Sequence, residues 1–334
     1  MKRLTLAFAA LPLLAAAPSP EKPALAPSEI VAAAPVADWV RIAPADLMVM
    51  ELAPDAKGKG RRVVIQLMPP PFSQGWVGNI RRLVAARWYD GVSVNRVQDN
   101  YVTQWGDAEG EDPKKAKKLP EGLEVLTHAA YVSRLSEWQA QNAQRDADRQ
   151  SKQVVGKLLP ANVEAYPAWH SRDAYVAWVD FYSGWPVATS GYSWDQTWWP
   201  VHCYGMVGVG RGLSPDTGSG AELYTVIGHA PRHLDRNIAL VGRVIEGIEH
   251  LSSLPRGTEV LGIYKSAEER TPIMSVRMGT EVNGLPPFEY LSTESDSFAR
   301  YADSRANRRD AFFNVPAGGA DICNIPVPVR RVKR

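Results

Sequence analysis

Tyr89-Asp90-Gly91-Val92-Ser93-Val94-Asn95-Arg96-Val97-Gln98-Asp99-Asn100-Tyr101-Val102-Thr103-Gln104-Trp105-Gly106-Asp107 is the stretch on which the reading of this chain turns. Short, largely apolar runs over 92–97 and 101–105 predict two strands, and the polar trio Gln98-Asp99-Asn100 between them predicts the turn. Upstream, 47–52 and 63–68 read as two further strands separated by a Pro/Gly-rich turn at 54–60. Ser73 then offers a helix N-cap, and Trp76, Ile80, Leu83 and Val84 recur at helical spacing up to Arg87.

Downstream the strand rhythm returns at 205–209, 223–227, 238–241, 260–264 and 273–278. A short helix interrupts it at 247–254, with Ile248, Leu251 and Leu254 on one face and Pro255 and Gly257 as stop signals. Many short strands with two helices predict an all-β protein built on a closed antiparallel barrel, since a βαβ sheet would alternate strands with long helices.

The stretch 109–203 breaks the pattern. A charged run at 109–118 leads into an expected helix from Leu123 to about Gln150 and then into an aromatic region holding Trp169, Trp178, Trp185, Trp194, Trp198 and Trp199, six of the eleven tryptophans. Packing of an insertion against the barrel is the commoner use of such residues, and a ligand-binding aromatic shelf is the rarer one. Beyond Met278, Pro286-Pro287 precedes a polar helix expected near 297–309 and a Pro-rich end.

Met1-Lys2-Arg3 followed by an apolar run over 4–17 has the charged start, short apolar core and small-residue end of a secretory signal peptide, and the run is too short for a permanent membrane span. Residues 18–37, rich in Pro and Ala, read as a flexible leader. The expected organisation is therefore a signal at 1–17, the leader at 18–37, a domain at 38–283 with an insertion at 109–203, and a C-terminal extension at 284–334. In an exporting bacterium this places the chain in the periplasm. Cys203 and Cys323 are the two cysteines; one bridge closing a long loop and two buried thiols are both compatible with the sequence.

The 334 residues carry 38 Lys and Arg against 36 Asp and Glu, a formal charge of +2, so no overall field draws nucleic acid or an anionic membrane. The sequence contains no HExxH, GxSxG, P-loop or CxxC motif, and its His residues lack metal-ligand spacing.

The quoted stretch, with Tyr89-Asp90-Gly91, Asn95-Arg96-Val97 and Tyr101 to Asp107 in preserved spacing, resembles the cyclophilin pattern YDGxxFHRVIxxFxxQGGD. Val63 to Met68, Pro69-Pro70-Pro71 and the helix with Asn79, Ile80 and Leu83 are similar to that family's opening strand, loop and helix. Gly205 to Arg211, Ala221-Glu222-Leu223-Tyr224, His233-Leu234-Asp235 and Val241 to Ile248 resemble its later motifs, in order. The resemblance covers roughly 46–107 and 204–278. It implies an eight-stranded barrel capped by two helices, a proline-binding groove on the outside, proline-containing polypeptides as partners, and no metal or cofactor.

On that resemblance Arg96 is the catalytic guanidinium. Gln104 orients it and bonds the substrate backbone. Tyr101, Val102, Tyr224, Leu234 and Ile238 line the proline pocket, and Val209 and Gly210 lie on the strand that meets the substrate main chain. Asn95 replaces the usual His, Tyr101 and Tyr224 replace Phe, and Glu222 replaces Gln; Glu222 accepts but cannot donate, and its charge is placed to pair with Arg96.

The chemistry suits these residues. Rotation about the bond before proline meets a barrier of about 18–20 kcal/mol and breaks no covalent bond, so a charged, planar donor set beside an apolar pocket is what a catalyst needs. The implied activity is peptidyl-prolyl cis–trans isomerisation assisting exported proteins to fold. Two alternatives stand beside it: a peptide-binding or chaperone module on the same fold with slow turnover, and an envelope protein holding a partner through its Trp-rich insertion.

Overall fold

The computed structural model describes residues 24–134, 173–190 and 197–332. The expected signal at 1–17, Trp169 and Trp194 lie outside these residues. Among the described residues no helix is long and apolar enough to cross a membrane. In chain order come helix α1 (Pro27–Ala33), strands β1 (Trp39–Ile42), β2 (Leu47–Leu52) and β3 (Arg61–Leu67), helix α2 (Gln74–Ala85), and strands β4 (Ser93–Val97) and β5 (Val102–Gly106). Strands β6 (Ser133–Arg134), β7 (Trp178–Tyr182), β8 (Trp185–Thr189) and β9 (Thr197–Pro200) follow. Strands β10 (Met206–Val209), β11 (Leu223–Val226) and β12 (Leu240–Glu246), helix α3 (Glu249–Ser252) and strand β13 (Thr271–Met278) lead to β14 (Phe288–Leu291), helix α4 (Asp296–Ala306) and β15 (Val329–Arg331).

Eight strands close an antiparallel barrel in the order β10-β11-β5-β4-β13-β2-β3-β12. Its interior follows the period-two rule: Met48, Met50 and Leu52 of β2 and Val63, Ile65 and Leu67 of β3 enter the main core. The intervening Leu47 and Val64 are buried too, because they meet Ile42, Phe288 and Tyr290 of a three-stranded sheet, β1-β14-β15, laid over the outside. Burial on both faces explains why 47–52 and 63–68 read as nearly unbroken apolar runs. Each such aliphatic side chain contributes about 1.5–3 kcal/mol on leaving water. Helix α2 buries Trp76, Ile80, Leu83 and Val84, the spacing predicted. Ser73 makes no cap bond; Gln74 instead donates its side-chain amide to the carbonyls of Met68 and Phe72, at 3.0 and 2.8 Å.

Four sequence expectations are corrected. The helix expected from Leu123 is absent as far as Arg134, the rest lying outside the described residues: Asn79 of α2 clamps the backbone of Glu124, accepting its N–H at 2.7 Å and donating to its carbonyl at 2.8 Å, and Thr217 takes the Leu126 carbonyl at 2.9 Å. The described part of the expected helical insertion is a sheet, β6-β9-β8-β7. Its Trp178, Trp185, Trp198 and Trp199 are buried, and Arg243 of β12 joins it to the barrel by donating to the Gly184 carbonyl at 2.6 Å under the Trp185 ring. The strand expected at 260–264 is a tight turn in which Leu261 takes φ 62°, leaving a single bridge between Arg96 and Ile263.

The described part of the expected flexible leader forms α1, with Pro27 at its first position and Glu29 accepting the Ala26 N–H at 2.7 Å; it packs on α4. The sequence left Cys203 and Cys323 open, and they form a disulfide with Cα atoms 5.1 Å apart.

Candidate active site

Strands β4 and β5 pair so that Arg96 lies opposite Gln104, and β11 continues the sheet with Tyr224 opposite Gln104. Three neighbouring strands therefore present the guanidinium, the amide and the phenol side by side. Arg96 is fastened on three sides. Its Nε donates to the Leu261 carbonyl at 2.7 Å, Nη1 donates to Gln104 Oε1 at 2.8 Å, and Nη2 donates to Gln98 Oε1. A guanidinium has five N–H bonds, so among the described residues two remain to meet a ligand. Burial pulls the Arg96 pKa down from its ordinary value, while Tyr101 and Glu222 oppose that shift.

Beside the guanidinium lies a pocket of about 100 Å³ lined by Arg96, Tyr101, Val102, Gln104, Gly210, Arg211, Tyr224, Leu234 and Ile238. Its apolar residues Val102 and Tyr224 cluster with the buried Val226, and Tyr101, Leu234 and Ile238 pack against them. The Arg96 guanidinium sits 5.8 Å from the centre of the Tyr101 ring, and His233 stacks on that ring's neighbourhood at 6.3 Å. An apolar recess of this size beside a fixed donor set can hold a small ring while the carbonyl before it turns. Gly208 makes the recess geometrically possible: a Cβ there would come within 2.3 Å of the Tyr224 ring.

Eight of the predicted residues, namely Arg96, Gln104, Tyr101, Val102, Tyr224, Leu234, Ile238 and Gly210, thus meet at one place. Val209 does not join them with its side chain, which is buried in the barrel core. Glu222 lies just behind: its Oε1 accepts from Gln104 Nε2, and it reaches Arg96 through that amide, where the sequence suggested a direct pair. Burial raises the Glu222 pKa, and the Gln104 bond and the Arg96 charge only partly offset this.

The family profile described as Cyclophilin type peptidyl-prolyl cis-trans isomerase/CLD matches residues 59–278. The chain belongs to the cyclophilin family. Among solved structures, a cyclophilin named AquaCyp293 from Hirschia baltica is similar at 21% identity and a TM-score of 0.59, covering 89% of this chain and 95% of its own, and shares the fold. A Cryptosporidium parvum cyclophilin type peptidyl-prolyl cis-trans isomerase aligns at 11% identity and a TM-score of 0.37 over 70% of this chain and 97% of its own. Its structure in the presence of the dipeptide ala-pro aligns at the same identity and TM-score, over 69% and 98%. No curated protein sequence matches the chain.

Sequence reasoning missed three contributors to this cyclophilin site. The sequence pattern puts Leu261 in a strand, yet its backbone carbonyl holds Arg96, and no side-chain signal marks a carbonyl. Gln98 has the polarity of a turn residue, yet its two-residue spacing from Arg96 puts both on one face of the ribbon. Arg211 lines the pocket from the loop after β10.

Proposed function

We propose that this cyclophilin catalyses rotation about the peptide bond preceding proline in exported polypeptides, with Arg96 stabilising the twisted bond. One observation carries the reading: Arg96 is held by three acceptors at the edge of a proline-sized apolar pocket, with two N–H bonds to spare. In the twisted state the imide nitrogen regains its lone pair and the preceding carbonyl turns out of conjugation, so donors fixed beforehand stabilise that state more than either planar one. The pocket keeps the ring still, and Gln104, with a second N–H beyond the one given to Glu222, is placed to bond the substrate backbone.

The export assignment is supported by Lys2-Arg3 with the following apolar run, and by a disulfide, which suits an oxidising compartment. Assistance to the folding of exported proteins follows from that location, since uncatalysed isomerisation takes about tens to hundreds of seconds. Exchange NMR on a peptide with one Ala-Pro bond tests the activity. Catalytic amounts of the protein bring cis and trans resonances into exchange; exchange at the uncatalysed rate overturns the reading.

A further inference from the structure

The Tyr224 ring carries a hydroxyl that the family's usual phenylalanine lacks, and a buried phenol calls for a hydrogen-bond partner. It lies 2.9 Å from Nε2 of His202, which has no solvent exposure. His202 Nδ1 lies 2.8 Å from Asp235 Oδ1, which also accepts the His202 backbone N–H at 3.0 Å. A carboxylate only accepts, so Nδ1 carries the proton that faces it, and the other ring nitrogen, Nε2, shares a hydrogen bond with the Tyr224 hydroxyl. Arg232 donates from Nε to Asp235 Oδ2 at 2.8 Å and from its two terminal nitrogens to both oxygens of Asp173, at 2.7 and 3.1 Å. A chain of satisfied buried groups thus runs from Asp173 to the wall of the proline pocket.

Both flanks of this chain meet the disulfide. His202 immediately precedes Cys203. Asp321, whose Oδ2 lies 3.9 Å from Arg232 Nη1, accepts the backbone N–H of Cys323 at 2.8 Å. The C-terminal extension is thereby tied to the pocket through covalent and ionic contacts at once.

We propose that His202 is a positioning residue that holds the Tyr224 ring as the wall of the proline pocket, and that the Cys203–Cys323 bond holds His202 in register. Affinity for a prolyl segment then depends on a bond made by the C-terminal extension. The inference rests on the isomerase reading above and refines it: His202 touches no substrate, so its loss weakens binding of the proline ring and leaves the Arg96 step intact.

Steady-state kinetics of the full chain on a short peptide with one Ala-Pro bond test this. His202→Phe raises KM about three- to tenfold, the worth of one neutral hydrogen bond, with kcat within about twofold. His202→Gln, whose amide reaches the phenol, restores KM, and it also serves if the Phe variant fails to fold. Cys203→Ser with Cys323→Ser raises KM as His202→Phe does. In a Tyr224→Phe background, neither change moves KM further. Unchanged KM in a folded His202→Phe protein, or an undiminished rise in the Tyr224→Phe background, overturns the proposal. A wild-type chain without isomerase activity removes the functional reading instead, and calorimetric Kd values for the same peptide then read the same variants.

Discussion

The carboxylate of Glu222 turns the Gln104 amide the same way that the Arg96 guanidinium does, with its oxygen toward Arg96. Because a carboxylate only accepts, Gln104 must turn Nε2 toward it, and Oε1 is left to take the Arg96 Nη1 hydrogen at 2.8 Å. A glutamine at 222 could satisfy either orientation of Gln104. The acidic residue therefore removes one way for the site to be misassembled, at the cost of a buried charge.

That cost predicts a pH dependence. Burial, with Glu111 nearby, raises the Glu222 pKa, so on acidification the group protonates above the ordinary glutamate range and gains a donor that no longer fixes Gln104. Isomerase activity is expected to fall on the acid side in the wild type, whereas Glu222→Gln should give a flat profile there and a kcat/KM changed by about two- to fivefold at neutral pH. Stability has the opposite sign. With the folded pKa above the unfolded one, the unfolded chain loses its proton first as pH rises, so Glu222 costs stability progressively up to its raised folded value. Denaturant titrations at acid and neutral pH show that slope reduced in Glu222→Gln.

Gly208→Ala tests the pocket wall. The added methyl meets the Tyr224 ring at 2.3 Å, inside any allowed contact, and backbone pairing of β10 with β11 leaves little room to shift. The expected result is a folded protein destabilised by about 1–3 kcal/mol in urea, with KM for a prolyl peptide raised more than kcat falls.

The disulfide spans a sequence separation of 120 residues. On the chain-entropy account, closing a loop of this size stabilises the fold by about 4–5 kcal/mol. Denaturant unfolding of the Cys203→Ser, Cys323→Ser double variant reads this directly as a lower midpoint than that of the oxidised wild type.

The barrel and its central hairpin are legible in the sequence because their signals are local. The turn Gln98-Asp99-Asn100 sets the register that brings Arg96 opposite Gln104, and Asn100 takes the left-handed φ of 51° that asparagine tolerates. What escapes notice is held by partners remote in the chain. Leu123 and its neighbours carry helical spacing, yet Asn79 captures both backbone groups of Glu124 from 45 positions away, so neither is left for an α-helix. His202 looks like a packing residue until β11 delivers Tyr224 to it. The helix α1 was legible in Pro27 and Glu29, but a composition rich in Ala and Pro outweighed that local cap signal.

The most direct test is the rate of prolyl isomerisation in wild type, Arg96→Ala and Arg96→Lys. The wild type is expected to accelerate isomerisation of an Ala-Pro peptide. Both variants should lose about 100-fold or more in kcat/KM, because neither an alanine nor a single ammonium reproduces a planar donor set already held by Leu261, Gln98 and Gln104. Arg96→Ala at the wild-type rate would contradict the central claim, as would a wild type indistinguishable from buffer.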